Sequence, residues 1–240
     1  MKNQDQWKPT RYVLVNGKWE PNFHAIYGGS KHIALLHRDT YFPLIADHLR
    51  GDLLDVGCGV VPYYGAYKDQ VNSVTCIDWE ETHGANPFID QVVDLNDPIP
   101  LPDSQYDSIL CTDVIAHIYR PHQLIEEFAR LLKKGGKILI TTPFSYWISE
   151  PPHEHYRFTE YALKRMCEEN GLEVIQLEPF GGRWDILLDL WNKKWTGRIS
   201  FRLFSLLRRV AMAMPMYKKS RGQESRKYPL GYTLVAQKPG

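Results

Sequence analysis

The sequence predicts a doubly wound α/β fold, a mostly parallel sheet with helices on both faces. Two observations carry that expectation. From Asp52 onward, short apolar runs alternate with amphipathic helical segments, the pattern that lays successive strands side by side and parallel. The first of these runs ends in a glycine turn, Gly57-Cys58-Gly59, at the sheet edge where open α/β sheets bind ligands. The chain of 240 residues suits one such domain with additions. Its 43% hydrophobic and 24% charged content excludes a disordered chain, a coiled coil and a fibre.

Each element has its own signal. Tyr12–Val15 and Lys18-Trp19 flank Asn16-Gly17, the preferred pair for a two-residue hairpin turn. A helix follows Ser30 through Ile33, Leu36, Ile45 and Leu49, with a bend expected near Pro43. The predicted strands are Leu53–Val56, Val74–Ile77, Gln91–Leu95, Ser108–Thr112 and Lys137–Thr142. His122–Lys133 reads as an amphipathic helix closed by Lys133-Lys134-Gly135-Gly136, cations and glycine both suiting a helix C-terminus. Helix Glu160–Asn170 and strand Glu173–Leu177 come next. After Gly181-Gly182 the chain reads as helical to about Met214, and Gly231–Ala236 as a final edge strand. The division expected is a hairpin and helical cap over 1–50 and a main domain over 51–240, with 183–227 a basic helical insertion.

The N-terminus lacks the basic start and apolar core of a signal peptide, and no run approaches the ~20 apolar residues of a membrane span. The expectation is a soluble cytoplasmic protein. Cys58, Cys76, Cys111 and Cys167 are scattered with no C-x-x-C pair, which suits reduced thiols and gives neither a disulfide framework nor a zinc site.

The glycine turn is accompanied by acids. Asp78 ends the next strand, 21 residues after Gly57, where a carboxylate can accept both hydroxyls of a ribose. Asp94 ends the third predicted strand on the same rim. A dinucleotide fingerprint would have a third glycine where Pro62 stands, and a phosphate-binding Walker loop is absent. Asp55, two residues before Gly57, would repel a pyrophosphate but suits a ligand carrying an ammonium and a sulfonium. That favours S-adenosylmethionine over a nicotinamide dinucleotide.

Leu54-Asp55-Val56-Gly57-Cys58-Gly59 resembles the first motif of class I S-adenosylmethionine-dependent methyltransferases. Tyr106–Ile118 is similar to their fourth-strand block, and Phe128–Gly136 to the helix and glycine exit after it. The match spans roughly residues 50–180. It implies a Rossmann-like methyltransferase fold of seven strands with the last one antiparallel. It also implies a cofactor site lined by Gly57, Gly59, Asp78, Asp94, Thr112 and Asp113. The chain departs from the pattern at Val60-Val61-Pro62-Tyr63, where small residues are common. Pro62-Tyr63 is similar to a type 11-like subgroup associated with bacterial glycan and small-molecule modification.

Methyl transfer to a hydroxyl needs alignment of the acceptor and a base near neutral pKa, for which histidine is the natural choice. Of nine histidines, His117 follows the fourth-strand block, and His153 and His155 lie in Pro151–Thr159 after the next strand. If that loop is extended, His153, His155 and Arg157 project to one side and Glu154 and Tyr156 to the other. Arg157 would hold an anionic part of the acceptor or anchor the loop. The alternative is that these histidines only tie the loop to the sheet. H-x-H spacing also invites a metal, but no third ligand follows at fixed spacing, so no metal is expected. Tyr27, His32, His37, Arg38 and Tyr41 are candidates to close over the cofactor, or simply parts of a packed helix.

Between Arg183 and Tyr228 stand twelve Lys/Arg and three Asp/Glu, a net +9, on a body of net −8. Within it, 198–217 is a basic amphipathic segment. It suits packing or a homodimer contact, or docking on an anionic membrane surface. The arginines lack interleaved stacking aromatics, so no nucleic acid is expected. The function expected is S-adenosylmethionine-dependent O-methylation of a hydroxyl or carboxylate on a small molecule or glycan. The alternatives are an N-methyltransferase, or a non-catalytic cofactor-binding partner of a membrane-associated glycan assembly.

Overall fold

The computed structural model describes every residue except 24, 26–29, 80–85, 196–205, 207–209, 216 and 218–223. The hairpin forms as β1 (Tyr12–Val15) and β2 (Lys18–Pro21), antiparallel, with Asn16 and Gly17 both at positive φ, 50° and 74°. Helix α1 (Lys31–His48) begins where the Ser30 hydroxyl accepts from the Ile33 amide at 3.3 Å, and it runs through Pro43. Strand β3 (Gly51–Val56) leads to the glycine turn and to the short helix α2 (Tyr64–Tyr67). Then come β4 (Val71–Asp78), β5 (Gln91–Val92), β6 (Tyr106–Thr112), α3 (Pro121–Leu131), β7 (Leu132–Pro143), α4 (Glu160–Glu169), β8 (Glu173–Phe180), α5 (Arg183–Trp195) and β9 (Gly231–Gln237).

Seven strands form one sheet in the order β5-β4-β3-β6-β7-β9-β8. The pairs of β3 with β4 and β6, β4 with β5, and β6 with β7 are parallel, and β9 is antiparallel to both its neighbours. The strand order reverses between β3 and β6, and the carboxyl ends there form the crevice in which sheets of this class bind ligands. Period-2 alternation divides the core. Leu54, Ile109 and Ile138 pack under α3 and α4 with Phe128 and Leu163. Leu53, Leu110 and Leu139 pack under α1 with Leu36 and Ile45.

Two expectations about the sheet are corrected. The last strand is not at the edge: β9 lies between β7 and β8, which leaves β5 and β8 as the edges. Its six buried residues, Gly231–Ala236, match that interior place. The third strand stops at Val92, so Asp94 sits in the loop beyond it. There its carboxylate accepts from the Asn96 amide and side chain, both at 2.9 Å. Strand β7 also begins directly after α3, with Gly135 turning at φ 77° inside it. Most of the 198–217 segment lies outside the described residues, as does Tyr27.

Candidate active site

The glycine turn is built by its hydrogen bonds. The Gly57 amide donates to the Ile77 carbonyl at 2.9 Å, and the Gly59 amide to Asp78 Oδ2 at 2.6 Å. Asp78 Oδ1 takes the Trp79 amide at 2.7 Å. Gly57 and Gly59 have φ of 62° and 51°, and Val61, fully buried, has φ of 50°. A β-branched residue rarely tolerates that conformation, so the turn is held by its surroundings. A Cβ on Gly57 would come within 2.3 Å of Val114 Cγ2, because the loops after β3 and β6 meet at the point of strand reversal.

A cavity of about 660 Å³ opens over this turn. Gly57, Gly59, Asp78, Asp94, Thr112 and Asp113 line it, and so do His117, His153 and His155. The sheet thus brings nine of the ten candidate site residues to one place.

Asp55 is the exception. It is buried behind the turn, where the Tyr67 hydroxyl donates to it at 2.6 Å, and it does not line the cavity. Burial pushes its carboxyl up to about 7, against the opposing effect of the Tyr67 bond. Its place and its weakened charge remove the electrostatic reason given for a direct contact with the ligand.

Asp113 adopts φ of 59° and anchors the far wall. Its Oδ1 accepts from the Tyr41 and Thr141 hydroxyls, each at 3.1 Å. Burial, reinforced by Asp113, holds the Tyr41 hydroxyl well above its ordinary value, so it remains a donor. The His37 ring stacks on Tyr41 at 4.3 Å, and burial lowers its pKa. His32 is buried against Asp185 at 2.8 Å, and Arg38 pairs with Glu20 and Asp39. None of these four lines the cavity: Tyr41 and His37 back Asp113, while His32 and Arg38 are held in pairs around α1, so the lid reading of them is corrected.

The three histidines sit along the mouth. His117 Nδ1 lies 3.1 Å from the His153 carbonyl. The His155 and Tyr156 amides both donate to the Ala116 carbonyl, so the loop after β7 is stitched to the segment after β6. The ring of His153 meets Trp79 edge-on at 5.0 Å, and that of His155 meets Tyr119 at 6.1 Å. Arg157 departs from the expected alternation. It turns back to pair with Glu154 and donates to the Trp147 carbonyl at 3.0 Å, so it anchors the loop and does not line the cavity. The pair with Arg157 and the Ser149 amide hold the Glu154 carboxyl below its usual range, although its burial acts the other way.

Sequence reasoning passed over Trp79, Asn96, Tyr119 and Arg11, which also line the cavity. Trp79 directly follows the strand-end acid and could have been found from that spacing. Arg11 comes from the N-terminal segment and carried no local signal. Among the described residues, no group of three His, Cys, Asp or Glu side chains could hold a metal ion.

A glycine turn at the reversal point, a buried acid ending the neighbouring strand and apolar residues Leu95 and Ile118 in the same cavity define a nucleoside-binding α/β domain. Comparison with known proteins identifies which. A methyltransferase-domain family model matches residues 34–177, and the chain belongs to that family. A Mycolicibacterium smegmatis relative, named a probable S-adenosylmethionine-dependent methyltransferase, is 32% identical over 136 residues, 51% of this chain and 52% of the relative. A Coxiella burnetii ubiquinone biosynthesis O-methyltransferase is 28% identical over 148 residues, 58% of this chain and 57% of the relative. The chain thus spans about half the length of the curated relatives it matches.

Among solved structures, an S-adenosylmethionine-dependent methyltransferase from Archaeoglobus fulgidus aligns with a TM-score of 0.56 at 18% identity, over 86% of this chain and 94% of that one. The [4+2]-cyclase SpnF aligns equally well, with a TM-score of 0.56 at 20% identity, over 96% and 88%. One scaffold therefore serves different reactions, and the fold alone does not set the acceptor.

The residues present fit S-adenosylmethionine. Asp78 is a buried strand-end carboxylate, Asp94, Asp113 and Glu150 add further carboxyl groups to the cavity lining, and the glycine turn leaves backbone exposed. Among the described residues, no Lys lines the cavity and the one lining Arg, Arg11, comes from the N-terminal segment, so these residues form no cluster of cations for a pyrophosphate.

Proposed function

We propose that the protein is an S-adenosylmethionine-dependent methyltransferase that methylates an oxygen of a small molecule or glycan. One observation carries this reading: a single cavity joins the glycine turn and Asp78 to three histidines. The cofactor, when bound, supplies the activated methyl group. Asp78 and Asp94 would hold its ribose end, and the Thr112-Asp113 segment its amino-acid end. The histidines would orient the acceptor and remove its proton.

His117 is the favoured base. A carbonyl oxygen only accepts, so the 3.1 Å contact with the His153 carbonyl supports the tautomer with the proton on Nδ1 of His117. In the neutral ring that leaves Nε2 unprotonated and ready to take the acceptor proton. His153 and His155 would then shape the acceptor's seat. The test is release of S-adenosylhomocysteine with a panel of hydroxyl, carboxyl and amine acceptors. Turnover with hydroxyl or carboxyl compounds is expected. Turnover with amines alone overturns the O-methyl assignment, and cofactor binding without any turnover favours a non-catalytic partner.

A second reading concerns where the protein works. Leu206, Val210 and Met214 recur at helical spacing and are 58%, 50% and 50% exposed, within the segment of net +9. This supports peripheral contact with an anionic membrane surface. Among the described residues, no helix is long and apolar enough to cross a membrane.

A further inference from the structure

Beyond the mouth of the cavity lies a second depression of about 690 Å³, between the start of α3 and the outer face of α4. Tyr119 lines both. Its backbone is fixed from two sides: the Asn96 side chain accepts from its amide at 2.9 Å, and the Tyr156 hydroxyl donates to its carbonyl at 3.3 Å. Tyr119 nevertheless stays 48% exposed, and Tyr156 beside it is 41% exposed. Two rigid aromatic surfaces facing solvent next to a reaction site are placed to receive a ring, with little ordering entropy to lose.

The charges in this groove are unequal. Arg165 is matched by Glu169 at 2.6 Å. Arg120 has no carboxylate partner among the described residues. Its guanidinium instead rests over the Tyr119 ring, 5.2 Å from the centroid. A stacked guanidinium keeps its in-plane N–H donors free, and those donors match a carboxylate or phosphate. The floor is apolar, formed by Phe158, Ala162 and Met166.

We propose that the groove is the outer subsite for the acceptor. An elongated acceptor would place its reacting oxygen at the histidines, a ring on Tyr119 and an anionic group, carboxylate or phosphate, on Arg120. This rests on the methyltransferase reading of the cavity and adds the acceptor class: a ring-bearing acid longer than the reaction chamber.

The experiment uses the full chain, isotope-labelled and saturated with S-adenosylhomocysteine, whose binding is measured first. Failure at that step would overturn the cofactor reading and the groove with it. Three probes are then titrated by amide NMR to about 10 mM: phenyl β-D-glucuronide, its uncharged analogue phenyl β-D-glucoside, and phenyl phosphate. Shifts at Tyr119–Gln123 and Ala162–Met166 are expected, with an anionic probe bound at least about fivefold more tightly than the glucoside. The comparison of glucuronide with phenyl phosphate identifies the preferred anion. Arg120→Gln should bring that preference to within about twofold while cofactor affinity holds. Tyr119→Ala should weaken all three probes, and Tyr119→Phe should retain them. Retention of cofactor with no groove shifts, or an anion preference that survives Arg120→Gln, overturns the subsite while leaving the methyltransferase reading intact.

Discussion

The Gly59 amide donates to Asp78 Oδ2 at 2.6 Å, so the acid that ends β4 also holds the glycine turn that ends β3. One carboxylate therefore orders the backbone around the ligand and lines the cavity itself. Removing it should act on both. Asp78→Ala is expected to weaken S-adenosylhomocysteine binding by roughly ten- to a hundredfold in calorimetry, from the loss of charged hydrogen bonds. Asp78→Asn should also bind weakly, because its amide group must face one of the two backbone donors. Wild-type affinity in either folded variant would sink the assignment of Asp78 to the ligand.

The close approach of Gly57 to Val114 predicts a coupled pair. Gly57→Ala meets Val114 Cγ2 at 2.3 Å and also forces a Cβ into φ of 62°. The cost should be about 2 kcal/mol or more in urea denaturation. Val114→Ala in the same chain should recover the steric part and leave the dihedral part. Strictly additive losses would show that the two loops do not restrain each other.

Asp55 predicts a pH dependence of stability. Its folded pKa is raised to about 7, whereas the unfolded carboxyl titrates near ~3.9. Between those values the folded state holds a proton that the unfolded state releases, so stability falls as pH rises through the interval. Asp55→Asn keeps an acceptor for Tyr67 and cannot ionise. Denaturation at pH 5, 6.5 and 8 should give a flatter profile for the variant, with a melting temperature at pH 8 at least about 3 °C above wild type. Equal slopes in the two proteins would rule this out.

The histidines should separate by kinetics. His117→Ala is expected to lower turnover at least about tenfold with cofactor affinity within a few-fold of wild type. His155→Ala should act mainly on the acceptor KM. Should His155→Ala lose turnover and His117→Ala keep it, the base is His155 and His117 serves the loop.

Attachment to an anionic surface predicts a salt-sensitive interaction. Replacing Arg202, Arg208 and Arg209 together by Gln should reduce co-sedimentation with anionic vesicles, and added salt should mimic the loss. A wild-type protein that ignores such vesicles at low salt would leave packing or a homodimer contact as the role of this segment.

The local elements were legible in the sequence because their causes are local. Asn16-Gly17 demands a primed turn, Ser30 and Thr159 cap the helices that follow them, and apolar runs of period two make strands whichever neighbours they find. The cavity was legible for a related reason: parallel strands carry whatever follows their carboxyl ends to one rim, so Gly57, Asp78, Asp113 and His155 could be grouped without coordinates. Only the tertiary structure decided what depends on contacts between distant segments. It placed β9 between β7 and β8, since an apolar strand reads alike at a sheet's edge or within it. It turned Asp55 toward Tyr67, because the face of a strand that meets α2 is set by packing and not by the distance from Gly57. It drew Arg157 back to Glu154 where alternation pointed outward, and it brought Arg11 from the N-terminal segment to the cavity. Spacing along the chain determines which residues share an edge, and the direction of each side chain follows from partners that only folding supplies.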